Sequence, residues 1–102
     1  MDGAVAIQHT VVFRLVHEPD SPGETGFLDT GRTTLTAILG VTEFMINRQV
    51  SPKSDLHWQF SMVFADQAAY DAYNEHSTHV GFVEQHWQTE VDSFQEYDFV
   101  AR

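Results

Sequence analysis

The stretch that decides the fold is Val5 to Val16, VAIQHTVVFRLV, in which side chains of two kinds alternate. Period-two alternation with many β-branched residues is typical of a β-strand. One face carries Ile7, His9, Val11, Phe13 and Leu15, and the other carries Gln8, Thr10, Val12, Arg14 and Val16. The predicted strand therefore has an apolar face, interrupted by one histidine, and a mixed face.

The segment after this strand predicts a helix. Ser21 is a good N-cap, Pro22 suits the first helical position, and Glu24 completes a capping box. The helix is expected to run to about Leu39 and to end at Gly40. Its apolar stripe comprises Phe27, Leu35, Ile38 and Leu39.

Two strands joined by a short turn come next. Residues 44–50 and 57–64 flank the turn sequence Ser51-Pro52-Lys53-Ser54-Asp55, which favours an antiparallel hairpin. The apolar face of the first strand carries Phe44, Ile46 and Val50. That of the second strand carries Trp58, Phe60, Met62 and Phe64.

The last third of the chain predicts helices and a final strand. Asp66 is expected to cap a helix that passes through Tyr73, and Ser77 or Thr78 to cap a further helical segment from about His79 to Val91. Residues 94–101 are expected to form a short strand, whose buried face the pattern does not assign.

The resulting order, β-α-β-β-α-β, predicts an α+β ferredoxin-like fold in a single domain of residues 1–102. Its four-stranded antiparallel sheet would carry the helices on one face. The opposite face would hold mixed, largely uncharged side chains, including Gln8, Thr10, Gln59 and Ser61. We expect a second copy to cover that face, sheet to sheet, as a homodimer. The alternative is a polar face open to water.

Charge and composition argue against several classes of partner. Fifteen acidic residues oppose five scattered basic ones, which gives a net charge of −10. Nucleic acids and anionic membrane surfaces require concentrated Lys and Arg. The absence of cysteine removes disulfides and thiolate catalysis. No apolar run is long enough for a membrane span and no secretory signal precedes Gln8, so we expect a cytoplasmic protein.

Two clusters of polar rings are candidates for chemistry. His9 either bonds a backbone carbonyl within the core or lines a cavity between sheet and helices. At a predicted helix junction, His79 would be kept neutral by the positive helix end and would act as a general base. Tyr73 would donate a hydrogen bond to a substrate carbonyl. The alternative is that the junction residues only cap and pack the helices.

Helical spacing places His79, Phe82, Val83, His86 and Glu90 on one side of the last helix. The first and second of these histidines are about 10 Å apart along the axis, too far to share one ion. No metal motif or cofactor fingerprint occurs, so we predict neither a metal nor a cofactor. A small apolar ligand would instead contact Trp58, Phe60, Met62, His76, Phe82, Val83 and His86.

Three stretches resemble the stress-responsive α/β-barrel (Dabb) family: Ile7 to Leu15, Phe64 to Tyr73 and His76 to Phe82. The resemblance covers nearly the whole chain. Its strongest points are the first-strand histidine and the paired histidines before Val80, although the family usually has proline where this chain has Ser77. The resemblance implies a ferredoxin-like protomer and a dimer whose two sheets face each other as a barrel.

The resemblance also implies candidate activities. One plant member of the family closes a linear polyketide by aldol condensation without a cofactor. Its tyrosine and histidine match Tyr73 and His79, its first-strand histidine matches His9, and its third-strand histidine falls at Trp58. This implies a cofactor-free cyclase, or a related proton-transfer enzyme acting on a small apolar carbonyl compound, with His9 as an orienting residue. Other dimeric ferredoxin-like barrels are cofactor-free monooxygenases. These enzymes are the alternative to our first expectation, which is a binding or stress-protective dimer without turnover whose pocket holds a small hydrophobic ligand or is filled by core side chains.

Overall fold

A four-stranded antiparallel sheet forms the frame of the protein in the computed structural model, which describes residues 4–102. The strands are β1 (Ile7–Leu15), β2 (Thr42–Arg48), β3 (Trp58–Phe64) and β4 (Val91–Phe99). They lie in the order β2-β3-β1-β4, and the predicted α+β ferredoxin-like class is confirmed. The expectation about a secretory signal falls partly on residues 1–3, which lie outside the described part.

The helices all lie on one face of the sheet. They are α1 (Pro22–Thr36), α2 (Gln67–Glu75), α3 (Ser77–Phe82), a π-helical segment (Val83–Trp87) and α4 (Gln88–Glu90). The last three are continuous in sequence, so the predicted final helix exists but contains one wider turn. In a π turn each N–H bonds the carbonyl five residues earlier, and such turns occur often at functional sites.

Two of the predicted helix caps are confirmed. The Ser21 hydroxyl accepts from the Glu24 N–H at 3.2 Å, and the Asp66 carboxylate accepts from the Ala69 N–H at 2.8 Å. These bonds satisfy backbone donors that have no partner inside the first turn of a helix. The Glu24 carboxylate accepts from the Asp20 N–H rather than from its own cap residue, so the capping box is displaced by one residue.

Three local expectations are wrong. Leu39 lies beyond the end of α1 and is 92% exposed, so it is not part of the apolar stripe. Val50 lies beyond β2 and is exposed. The cap of α3 is His76, whose Nδ1 accepts from the Thr78 N–H at 3.0 Å, and the helix begins at Ser77.

Strand pairing assigns the faces of the sheet, including the face of β4 that the sequence left open. His9 lies opposite Met62 on β3 and opposite Asp98 on β4. Phe94 lies opposite Phe13 on β1. Since residues paired across a sheet share a face, the side chains of Phe94, Glu96 and Asp98 point toward the helices.

The outer face, which is the sheet face opposite the helices, carries several exposed apolar side chains. Met45, Tyr97 and Phe99 are each about half exposed there. Exposed aromatic residues side by side on a sheet are typical of an interaction surface. Among the helices of the described part, none combines the length and apolarity needed to cross a bilayer.

Candidate functional site

A cavity of about 430 Å³ lies between the sheet and the helices α2 and α3 with the π segment. This volume falls within the range of small-molecule sites. Its apolar wall includes Leu35, Phe60, Phe82, Val83, Trp87 and Phe94. Its polar groups come from His9, Tyr73, Asn74, His79, Gln88 and Glu96. The cavity is therefore largely apolar, with polar groups contributed by both sheet and helices.

Tyr73 and His79 meet at this cavity because α2 and α3 are joined by a sharp change of direction at His76. That residue has extended backbone angles between the two helices. The turn brings the ring centroids of Tyr73 and His79 to within 4.3 Å of each other. The structure therefore brings together the pair that the sequence singled out for chemistry.

The protonation of His79 is set by its surroundings. Its Nδ1 lies 3.2 Å from the Asn74 carbonyl oxygen, which only accepts, so Nδ1 carries the proton and Nε2 holds a free lone pair. Burial lowers the pKa of His79 below its ordinary value, and nearby His9 acts in the same direction. The direction agrees with the sequence prediction, but the main cause is burial of the ring rather than the helix end.

Tyr73 is suited to donate a hydrogen bond rather than to ionise. The side chain is buried, and burial raises its pKa well above the ordinary value for tyrosine. Within residues 4–102, every fully buried side-chain polar atom has a hydrogen-bond partner. The raised pKa of Tyr73 comes from burial and from nearby charged groups, and no hydrogen bond to its hydroxyl contributes to it. We infer that the hydroxyl opens toward the cavity, where a ligand oxygen can accept its proton.

His9 is held on the cavity wall by an acidic side chain of the neighbouring strand. Its Nδ1 donates to the Asp98 carboxylate at 2.7 Å, and the Tyr70 hydroxyl donates to the same carboxylate at 2.9 Å and 3.0 Å. The other side of the ring, Nε2, lies 3.9 Å from the Glu96 carboxylate. The ring therefore has a fixed orientation, and it both lines the cavity and has side-chain partners in place of a backbone carbonyl.

Of the seven residues expected to contact a ligand, three line the cavity: Phe60, Phe82 and Val83. The other four lie outside it. Trp58 donates from Nε1 to the Glu24 carboxylate at 3.0 Å, and Met62 is fully buried in the core. His76 caps α3, and His86 contacts the Glu90 carboxylate at 3.1 Å.

Sequence reasoning missed Asp98, Glu96, Tyr70 and Asn74. The two acidic residues lie on β4, whose face the sequence pattern did not assign. Tyr70 offered a signal, since its position three residues before Tyr73 places both rings on one side of α2. Asn74 contributes through its backbone carbonyl, for which a sequence carries no sign.

Among residues 4–102, no three His, Cys, Asp or Glu side chains are arranged to hold a metal ion. Glu90 contacts both His17 and His86, at 2.7 Å and 3.1 Å.

Comparison with known proteins identifies relatives along nearly the full length. Residues 7–101 match the family model described as the stress responsive A/B barrel domain, Dabb. No curated protein matches the sequence. A crystal structure of a Dabb family protein with a ferredoxin-like fold from Mesorhizobium loti is 51% identical, with a TM-score of 0.95. The match covers 96% of this chain and 98% of that one.

More distant structures share the fold. A hydroxynitrile lyase from Passiflora edulis is 8% identical with a TM-score of 0.83, covering 98% of this chain and 96% of that one. SnoaB, a cofactor-independent oxygenase from Streptomyces nogalater, is 12% identical with a TM-score of 0.74, covering 97% and 95%. A ferredoxin-like protein of unknown function from Thermobifida fusca, described as dimeric, is 12% identical with a TM-score of 0.76, covering 96% and 92%. At these identities the likeness concerns the fold alone.

Proposed function

This chain belongs to the stress responsive A/B barrel domain family, and we propose that it is a homodimeric, cofactor-independent proton-transfer enzyme. Its substrate would be a small, largely apolar carbonyl compound that loses a proton from the carbon beside the carbonyl group. The observation that carries the proposal is the pair of rings, His79 with Nδ1 bonded to the Asn74 carbonyl and Tyr73 with its centroid 4.3 Å away, at a cavity of about 430 Å³. The proposal includes the cytoplasmic location expected from the sequence.

The proposed reaction divides the work between two side chains. His79 takes the proton on Nε2 as the α C–H bond breaks, and the electron pair moves toward the carbonyl oxygen. Tyr73 donates a hydrogen bond to that oxygen as its negative charge develops. The enolate then reprotonates, or attacks a second carbonyl group to close a ring. His9 would orient the substrate, because Asp98 and Tyr70 fix its ring at the cavity wall.

The low pKa of His79 and the high pKa of Tyr73 suit these roles. A base must be unprotonated and a hydrogen-bond donor protonated at the same pH. Burial lowers the pKa of His79 and raises that of Tyr73, so it widens the pH range around 7 in which the base is unprotonated and the donor protonated. The occurrence of a hydroxynitrile lyase and a cofactor-independent oxygenase on the same fold further supports an enzymatic role.

The test is exchange of α-protons in D2O, followed by NMR with acetophenone and alkyl methyl ketones as probes. We expect catalysed exchange by the wild type. His79→Gln should slow it by about 10²–10⁴-fold and Tyr73→Phe by about 10²–10³-fold, while both variants keep the wild-type circular dichroism. The matched control is His57→Gln, since His57 is exposed and does not line the cavity.

Two outcomes would contradict the proposed enzymatic role. Exchange that persists in His79→Gln would remove the assigned base. Probe binding without any exchange would favour the binding or stress-protective dimer, for which the same cavity is a ligand site. The rate should also rise with pH through the pKa of His79, with its midpoint below pH 6.5, because burial lowers that pKa from 6.5.

The homodimer proposed here uses the outer face. Its exposed apolar side chains, the dimeric description of the Thermobifida fusca structure and the family resemblance support this arrangement. Phe99→Glu should shift the mass measured by light scattering from two chains to one, because an added charge would be buried between the sheets. The matched control is Leu39→Glu, at an exposed apolar residue away from the sheet. A wild-type protein that is monomeric at all concentrations would overturn the dimer.

A further inference from the structure

We propose that the cavity selects uncharged carbonyl compounds over carboxylates and that Glu96 is the residue responsible. This inference rests on the proposed function, because it takes the cavity as the reaction site. It narrows the substrate class to ketones, aldehydes, esters and amides that carry no free acid group.

Glu96 is the one carboxylate among the side chains that line the cavity within the described part of the chain. It lies on β4 opposite Val11, on the helix side of the sheet. Its side chain is 59% exposed, so the charge lies at the accessible part of the cavity rather than inside the core. The Asp98 carboxylate adds negative charge near the cavity, because it bonds the side of the His9 ring that faces away from Glu96.

No lysine or arginine of the described part lies at the cavity to compensate for this charge; the His9 ring, 3.9 Å away, is already bonded to Asp98. Arg14 bonds Asp55 at 2.6 Å and Asp92 at 2.8 Å. Arg48 lies over the Trp58 ring, 4.3 Å from its centroid, and Arg32 over Phe44 at 5.8 Å. A ligand carboxylate would therefore lose its hydration without gaining an ion pair.

The Glu96 charge also reaches the reactive pair. Beyond burial, it contributes to raising the pKa of Tyr73, and it opposes the effect of burial on the pKa of His79. Proton abstraction itself is balanced in charge, because the enolate forms together with the protonated imidazole of His79. A carboxylate on the substrate would add a second negative charge for which the site holds no partner.

The test compares 4-acetylbenzamide with 4-acetylbenzoate, which have nearly the same shape but differ by one negative charge at pH 7.5. Dissociation constants are measured by calorimetry and α-proton exchange by NMR. We expect the wild type to prefer the amide at least tenfold in both measurements. Glu96→Gln should reduce this preference to threefold or less, because 4-acetylbenzoate would bind more tightly and exchange faster in this variant. Glu84→Gln is the matched control: it removes the same charge from an exposed residue outside the cavity.

The outcomes separate this inference from the proposed function. If the wild type exchanges both probes equally well, or if Glu96→Gln leaves the preference unchanged, the proposed selection by Glu96 is wrong and the proton-transfer role stands. If the amide binds with a tenfold preference but its protons do not exchange, the proposed selection stands and the proton-transfer role is wrong. If neither probe binds, both proposals fail together.

Discussion

Phe13 and His9 lie on the same face of β1, yet their surroundings differ completely. Phe13 is fully buried, with its ring 4.8 Å from that of Phe60 and 5.1 Å from that of Trp87. His9 is buried too, but it borders a cavity, and its partners are a carboxylate and a phenol. One end of the strand is thus filled by interlocking aromatic rings, and the other is left open with polar groups fixed around it. The filled end supplies stability that the open end does not.

The largest effect on the free energy of unfolding is expected from removing an aromatic ring at the filled end. Phe13→Ala should lower the free energy of unfolding by about 3–5 kcal/mol, because it leaves a void among rings that have little room to collapse. Phe94→Ala is the matched control, because Phe94 lies opposite Phe13 on β4, and it should cost less since half of that side chain is exposed. Urea unfolding measures both, and equal losses would mean that the buried ring of Phe13 is not more tightly packed than the half-exposed ring of Phe94.

A pair of glycines in α1 sharpens the comparison. A Cβ at Gly31 would lie 2.7 Å from the Phe60 ring, whereas nothing lies within 4 Å of one at Gly26. Gly31→Ala should therefore cost about 1–3 kcal/mol through overpacking. Gly26→Ala should stabilise by about 0.5–1 kcal/mol, since alanine is the better helix former. Thermal unfolding that moves in the same direction for both variants would contradict this reading of the aromatic core.

At the open end, a hydroxyl holds the position of a side chain rather than filling space. Tyr70→Phe removes the phenol that donates to the Asp98 carboxylate. We expect a loss of about 0.5–1.5 kcal/mol, typical of one hydrogen bond at a partly exposed site. We also expect changed NMR signals for the His9 ring nitrogens, because His9 Nδ1 bonds the same carboxylate. An unchanged His9 signal would show that Tyr70 does not help to orient the ring.

The smallest effect on stability should come from protonation of the His79 ring. The unfolded chain binds a proton on His79 below about pH 6.5, whereas burial lowers the pKa of His79 in the folded state. This group's contribution to stability is therefore complete above pH 6.5 and is lost as the pH falls through the lowered folded pKa. Urea unfolding at pH 7.5 and pH 5 should show a larger acid loss for wild type than for His79→Gln. Parallel losses would contradict the lowered pKa.

The filled end could be predicted from the sequence more completely than the open end. Strict alternation on β1 and β3 assigns the faces of Phe13 and Phe60 directly, and the N-caps at Ser21 and Asp66 follow from simple side-chain chemistry. Leu39 was misassigned because an apolar residue at helical spacing carries no sign that the helix ends at Thr36.

The open end depends on contacts that the local pattern does not contain. The face of β4 is set by its pairing with β1, so the positions of Glu96 and Asp98 became known only with the register. His76 caps α3 through a ring nitrogen, although serine and threonine are the usual caps and both follow it directly. Tyr73 and His79 were singled out by residue type and spacing, but their contact depends on the angle between two helices.

The π segment, Val83–Trp87, has a consequence for how relatives of this chain can differ in length. Its wider turn bonds the Gln88 N–H to the Val83 carbonyl, so residues five apart fall on the same side of the helix and both line the cavity. Deleting one residue here would bring Val83 and Gln88 to a spacing of four, which also places two residues on one side of an ordinary α-helix. The residues that flank the segment would therefore keep the same side toward the cavity, and only the wider turn in its wall would be lost. A one-residue gap at this point would mark homologues that lack this turn but can keep Tyr73 and His79 in place.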